Sequence, residues 1–552
     1  MSIRWFAWLV SLAAASVCAI AQTAPAIFEL DLGGRQIGKA DYLFSPTKTG
    51  FHVKAHYLFT IEMKTITSER NADLGPGYEL RSDNLRIAVN GQTQSATITA
   101  DPRTSRLTFE GETGGNPVTT TFEMHPGTVV FNNFDPSGVQ NLIYMETAHP
   151  QPDHQYWGFL AQRKGVQLPM ELTTGDLGEG TLKGTSIHLK RWHLKIAGAE
   201  GDIWADTNNN LMEFDIPMQS LSYRRSGFTL NEEQQSASAG PIPGAASVVE
   251  RNVSFTSDGL KIPAILALPR DRKAPVPIVV LVQGSGPHDA DETIGPNKPF
   301  RDIAYGLAAD GIATLRYEKR THLAPETFRL HPDLDHEVTI DAVAALAFAS
   351  SQPEIDPRRV FLLGHSLGGT MAPVIAADRL QQAPGSVRGI IFLAGGALGV
   401  EETLMRQLLA QAKRQGEEQS QIEALEKQWQ DIFRTINDPT TPVDEMVGTP
   451  PIRMPEVYWR SWISQNPPAE LAKLGLPALV LRGTKDIQVS ERDFQALAGA
   501  NTAPGGESKQ IEGLNHLMMP VAGESTGREY FQPSHVAPEA IQLISGWIGT
   551  FH

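Results

Sequence analysis

The sequence predicts a chain in two parts: a mainly antiparallel β domain over residues 22–235, then an α/β domain over 250–552 built on a doubly wound, mostly parallel sheet. Three observations predict it. Residues 22–235 carry period-two alternation and almost no helical periodicity. Residues 236–249 open with Ser236-Ala237-Ser238-Ala239-Gly240-Pro241-Ile242-Pro243-Gly244, small and proline-interrupted, the composition of an interdomain linker. Beyond it, apolar strands alternate with amphipathic helices, the pattern of a sheet covered on both faces.

The first 21 residues read as an export signal: Arg4 supplies a basic start, Trp5 to Val17 an apolar run, and Ala19-Ile20-Ala21 a small-x-small cleavage site. Cleavage near Ala21 predicts a periplasmic or secreted protein. The run is too short to cross a hydrocarbon core of about 30 Å, and no later stretch approaches that length. Cys18, the only cysteine, falls inside the signal, so disulfides, cysteine metal sites and thiol nucleophiles are excluded together from the mature chain. With 47 Lys+Arg against 62 Asp+Glu the net charge is −15, which gives little drive toward nucleic-acid phosphates.

In the amino-terminal part, Leu85, Ile87 and Val89 alternate up to Asn90-Gly91, and alternation resumes toward Ile98, which predicts a two-residue hairpin. Asp101-Pro102 marks the next turn, and Val118 to Phe122 a further Thr-rich strand. A sheet that is rolled or sandwiched follows, with Trp204 of Trp204-Ala205-Asp206 read as core. In the second part, strands are predicted at Pro277 to Val282, Ile312 to Tyr317, Val360 to Leu363, Ile390 to Leu393 and Ala478 to Leu481, and helices at Phe300 to Ala309 and Asp335 to Ser350. Residues 398–470 interrupt this rhythm with a polar-amphipathic run from Glu401 through Phe433. It is read as a helical lid over the strand ends, the alternative being a solvated excursion at the sheet edge.

The chemistry concentrates around Gly364-His365-Ser366-Leu367-Gly368. It follows an apolar strand and precedes a helix-like segment, the context in which G-x-S-x-G is informative. A nucleophile on so sharp a turn needs strained backbone, and glycines let neighbouring segments pass. A serine hydroxyl is a weak nucleophile at neutral pH, so an imidazole must take its proton and an acid must orient the imidazole. Both follow in the order this elbow requires. Asp486 lies just past the strand ending at Leu481, 120 residues after Ser366, and His516 lies 30 residues further, before a closing helix at Pro538 to Ile548. Asp493 and Glu512 compete for the acid's role but follow a strand end less directly. The expected oxyanion donors are the backbone N–H groups of Leu367, at the helix start, and of Ser285, in Gln283-Gly284-Ser285-Gly286-Pro287 after an earlier strand.

These pieces, with Arg316-Tyr317-Glu318-Lys319-Arg320, Gly483-Thr484-Lys485-Asp486 and Asn515-His516, resemble the serine α/β-hydrolase superfamily. The likeness is to the bacterial EstD-type carboxylesterase group, with serine aminopeptidases and dienelactone-hydrolase-like proteins as relatives. The resemblance implies an α/β-hydrolase fold with a helical lid insertion, a Ser366, Asp486 and His516 triad, and Ser285 and Leu367 as oxyanion donors. It also implies a small-molecule or oligomeric ester as substrate. Gln283 and Glu318 depart from it, standing where the group usually has histidine and aspartate. The expected protein is therefore an exported serine esterase working through an acyl-enzyme, with no cofactor and no metal. The alternatives are a peptidase with the same triad and a binding protein with a vestigial hydrolase domain. His331, Asp333, Asp335 and His336 lack any known metal-ligand spacing and are read as a solvated helix approach.

Overall fold

A computed structural model describes residues 24–32, 35–61, 64–113, 116–131, 135–160, 166–196, 199–216, 221–231, 242–414, 419–449 and 452–551. The expected signal and its cleavage site, and the linker up to residue 241, lie outside them. The chain divides into two compact units, Met1–Asn231 and Glu232–His552.

In the first unit, sixteen strands among the described residues form one sheet. The ladder runs back from Asn116–Glu123 through successive hairpins to Ala26–Leu32. That strand pairs antiparallel with Leu221–Arg225, from which the ladder continues down to Gln155–Leu160 and Thr128–Phe131. This last pair is parallel. Asn90 and Gly91 form the expected hairpin loop between Leu80–Val89 and Gln92–Asp101, both with φ in the left-handed region, 49° and 84°. The sheet rolls: Phe122 near one end meets Phe159 near the other at 5.5 Å, edge to face, and the buried side chains of both arms share one core. A helix, Pro136–Ala148, which the sequence reading did not locate, sits in that core of a mainly antiparallel β unit through Val139, Leu142, Ile143 and Met145. Trp204 is half-buried rather than core. It packs beside Leu189, Met212 and Phe228, with the Arg191 guanidinium 5.7 Å from its ring.

The second unit holds an eight-stranded sheet, numbered here β1 (Val248–Ser257), β2 (Leu260–Pro269), β3 (Val276–Val282), β4 (Ala313–Tyr317), β5 (Ile355–His365), β6 (Gly389–Leu393), β7 (Ala478–Gly483) and β8 (Glu507–Ile511). Their spatial order is β1-β2-β4-β3-β5-β6-β7-β8, parallel from β4 onward. Alternation within β3 explains the two helical layers. Ile278, Val280 and Val282 face one core, with helices Ile340–Ser350 and Leu367–Gln382. Val279 and Leu281 face the other, with Pro299–Ala309 and Pro538–Gly549.

Between β6 and β7 the chain adds helices Val400–Arg414 and Gln419–Asn437, a hairpin of Met446–Thr449 with Ile452–Pro455, and helix Glu456–Ile463. These share a core of their own around Trp429, Phe433 and Trp459. The insertion, expected over 398 to about 470, ends with helix Glu456–Ile463. Helix Pro467–Leu474 packs on Leu367–Gln382 and Glu491–Ala500, with Leu471 in the main core, so it belongs to the sheet's flank.

Candidate active site

Ser366, Asp486 and Ser285 all follow carboxyl ends of strands, those of β5, β7 and β3, where an open α/β sheet places its ligand crevice. Ser366 has φ 52° and ψ −116°, a conformation L residues rarely adopt. The flanking glycines make the turn possible, because a Cβ at Gly364 would lie 2.1 Å from the Gly368 carbonyl oxygen and one at Gly368 2.3 Å from that of Val282. The strain is thus held by backbone packed on backbone on both sides of the serine.

Asp486 and His516 are brought together: His516 Nδ1 and Asp486 Oδ2 are 2.9 Å apart, and both residues are buried. The other carboxylate oxygen of Asp486 accepts the N–H groups of Gln488 and Val489 at 2.8 and 2.9 Å, which fixes the acid in place. Burial pushes the Asp486 carboxyl up, but the charge and hydrogen bond of His516 and these two amides outweigh it and hold it below the usual carboxylate range. His365, the neighbour of Ser366 in the chain, has its ring 4.7 Å from that of His516. Among the described residues no hydrogen bond joins Ser366 Oγ to His516. Of the competing acids, Asp493 is consumed in structure: its oxygens accept the amides of Ala397, Leu398 and Ser490 and the Ser490 hydroxyl. Glu512 is exposed.

The loop after β3 lies against the serine, with a Cβ built at Gly284 only 3.1 Å from Ser366 Cβ. The amides on either side of Ser285 are taken by buried carboxylates, Gly284 N–H by Glu292 at 2.6 Å and Gly286 N–H by Glu337 at 3.1 Å. Among the described residues the N–H groups of Ser285 and Leu367 have no acceptor. Gln283, one of the departures from the family pattern, secures the loop by donating to the carbonyl oxygens of Tyr317 at 2.5 Å and Asp289 at 3.3 Å. Glu318, the other, accepts the Ala290 N–H at 3.3 Å.

Sequence reasoning did not single out Glu292, Glu337, Lys319 or Tyr458. Lys319 Nζ donates to the Gly284 carbonyl at 2.5 Å and to Glu337 Oε1 at 2.7 Å, and Tyr458 Oη donates to Glu337 Oε2 at 2.7 Å. All are buried. The signals available were the Glu318-Lys319-Arg320 run after β4 and the acidic start of a helix; nothing in their spacing tied either to Ser285.

A cavity of about 570 Å³ opens in front of Ser366, floored by Ser285, Leu367 and Thr370 and roofed from the insertion by Leu404, Met454, Tyr458, Trp459 and Trp462. Among the described residues its one charged lining residue is Glu337, already engaged by Lys319, Tyr458 and Gly286. Away from it, His336 Nδ1 contacts Asp333 Oδ1 at 2.7 Å and stacks on His331 at 4.6 Å; no metal-holding group occurs among the described residues.

Residues 263–526 match the alpha/beta hydrolase family. The chain is 34% identical over 300 residues to esterase EstD of Thermotoga maritima, a stretch spanning 53% of this chain and 66% of that esterase, just under two thirds of its length. Among solved structures, Est1E from Butyrivibrio proteoclasticus is similar at 16% identity with a TM-score of 0.35, covering 54% of this chain and 96% of that one. A hyperthermophilic esterase from the archaeon Pyrobaculum calidifontis is similar at 17% identity and a TM-score of 0.37, covering 58% and 88%.

Proposed function

We propose that this chain, whose residues 263–526 match the alpha/beta hydrolase family, is an exported serine esterase that cleaves uncharged carboxylic esters through an acyl-enzyme. The observation that carries the reading is the 2.9 Å pairing of His516 with Asp486 beside a strained Ser366 that faces an apolar cavity. The relative named an esterase supports it.

In the proposed mechanism, substrate binding closes Ser366 Oγ onto His516 Nε2, a contact often loose until substrate is present. His516 takes the hydroxyl proton as Ser366 attacks the ester carbonyl, and the N–H groups of Ser285 and Leu367 receive the developing oxyanion. Asp486 keeps its charge, holds the imidazole tautomer and stabilises the imidazolium. His516 then protonates the departing alcohol; in the second half-reaction it draws a proton from the water that attacks the acyl-enzyme, and returns that proton to Ser366 Oγ as the carboxylic acid leaves.

The cavity wall narrows the substrate. Indole and phenol rings with Leu, Val and Met side chains favour an apolar acyl or alcohol group, and an engaged Glu337 offers no charge to hold a substrate's free amine. An ester is therefore preferred over an aminopeptidase substrate. The deciding experiment assays aryl esters of increasing chain length beside aminoacyl anilides, with fluorophosphonate labelling read by mass spectrometry. Ester turnover and a label on Ser366 are expected; preference for the anilides, or a label elsewhere, defeats the reading.

A further inference from the structure

We propose that Glu292 and His365 form a buried carboxylate–imidazolium pair that positions the oxyanion loop, the nucleophile elbow and the His516 loop relative to one another, an inference that rests on the serine-esterase reading of this site. Glu292 Oε1 accepts two hydrogen bonds, from Gly284 N–H at 2.6 Å and from His365 Nδ1 at 3.0 Å. His365 Nε2 lies 3.0 Å from the carbonyl oxygen of His516. A neutral imidazole carries one N–H and one lone pair. With Glu292 ionised, both ring nitrogens face oxygens that can only accept, so both carry hydrogen and the ring is a cation.

The surroundings agree with that charge. His365 and Glu292 are 2% and 1% exposed. Burial opposes the charge on His365, while Glu292, the His516 carbonyl and the more distant Asp486 favour it and prevail. The other rings near the pair are His516 at 4.7 Å and the edge of Phe300 at 6.5 Å from His365, with His288 on the Glu292 side. One pair thus ties together Gly284, beside the donor Ser285; His365, beside the nucleophile; and His516, the base. Glu292 and His365 are 73 residues apart in the chain, and His365 and His516 are 151 apart.

Glu292 is not placed there for stability alone. Its φ of 52° is in the left-handed region, and its Oε2 is buried with no partner among the described residues. Both features are unfavourable, and such local conflicts concentrate where function overrides packing. Glu292 reaches the reacting atoms only through Gly284 and His365, so it is a positioning residue.

The test uses the full chain labelled with ¹⁵N-histidine, the His365 signals being assigned by their loss in His365→Gln. At neutral pH the wild-type His365 ring is expected to show both nitrogens protonated, and Glu292→Gln to return it to one. A singly protonated wild-type ring overturns the proposal, and this reading stands even if Glu292→Gln fails to fold, since the assignment needs only His365→Gln. In folded variants, Glu292→Gln and His365→Gln are each expected to lower kcat about 10²-fold while KM changes by less than about threefold, the signature of displaced reacting groups. The double variant is expected to match the singles, as members of one unit do. A folded single variant with wild-type kcat also overturns it. Should Ser366→Ala retain esterase activity, the esterase reading fails by itself, and the ring protonation still decides whether the pair exists.

Discussion

Tyr458, on the insertion, donates its hydroxyl to Glu337 Oε2 at 2.7 Å while the other oxygen of Glu337 holds the Gly286 amide of the oxyanion loop. The roof of the cavity and the loop that carries Ser285 are therefore joined through one carboxylate, balanced by Lys319 at 2.7 Å. Tyr458→Phe removes one hydrogen bond from this buried oxygen and is expected to cost about 1–3 kcal/mol, read as a lower Tm. Glu337→Gln leaves Lys319 buried without a counter-charge and is expected to cost more, about 3–5 kcal/mol. Equal melting temperatures for the two variants would contradict the coupling.

Asp486→Asn should leave the backbone in place, since the amide oxygen can still accept the N–H groups of Gln488 and Val489. The lost charge, and the wrong imidazole tautomer that an NH₂ group at Oδ2 imposes on His516, are expected to lower kcat about 10⁴-fold. Circular dichroism checks the fold and ester turnover the rate. Asp493→Asn provides the contrast: Asp493 caps the Ser490 turn and the Ala397 loop, so its loss is expected to appear in stability more than in chemistry.

The parts of the fold legible in the sequence are those written in local pattern. The strands β3 to β7, the hairpin at Asn90-Gly91 and the elbow at Ser366 each follow from residues within about ten positions, where periodicity and turn chemistry act. Helix Pro136–Ala148 escaped because it is buried on most of its surface, polar Ser137, Gln140 and Asn141 included, so no amphipathic stripe marks it. Its start was still signalled by Asp135 at the N-cap, accepting from Ser137 N–H, and Pro136 in the first turn. Glu292 and Glu337 escaped for another reason. What they do depends on Gly284, Gly286, His365 and Tyr458, which only the tertiary fold brings near, and a lone Glu in a loop or helix start carries no pattern.

The acid groups of the site set an acid limit on stability. Burial raises the Asp486 and Glu292 carboxyls, but their histidine partners and bound amides outweigh it and leave both below the usual range. A lowered acid stabilises the fold above its unfolded pKa, about 4, and that contribution is lost as pH falls through the folded value. His365 acts oppositely. Its folded pKa lies above the ordinary value of about 6.5, so its contribution is complete below that value and is lost as pH rises through the folded one. Thermal melts of the wild type are expected to fall below pH about 4, and melts above pH about 6.5 to decline less in His365→Gln than in the wild type. Identical alkaline limbs would argue against a charged His365.

Asp215 of the first unit gives a test independent of the active site. Its cross-strand partner is Asp202, and Glu213 lies two residues before it on the same strand, so like charges face one another. Burial first, and then Glu213 and Asp202, push its carboxyl up to about 7. A raised acid stabilises the fold only while protonated: the contribution is complete below the unfolded value near 4 and disappears as pH rises through about 7. Above that pH the ionised form strains the sheet. Asp215→Asn mimics the neutral acid and is expected to stabilise the first unit at pH about 8, by about 2 kcal/mol once partial solvent access is allowed for. The gain should shrink steadily toward pH about 4, where the wild-type carboxyl is itself protonated. Melting temperatures of the two proteins across that range check it; a gain independent of pH would assign the effect to packing instead of charge.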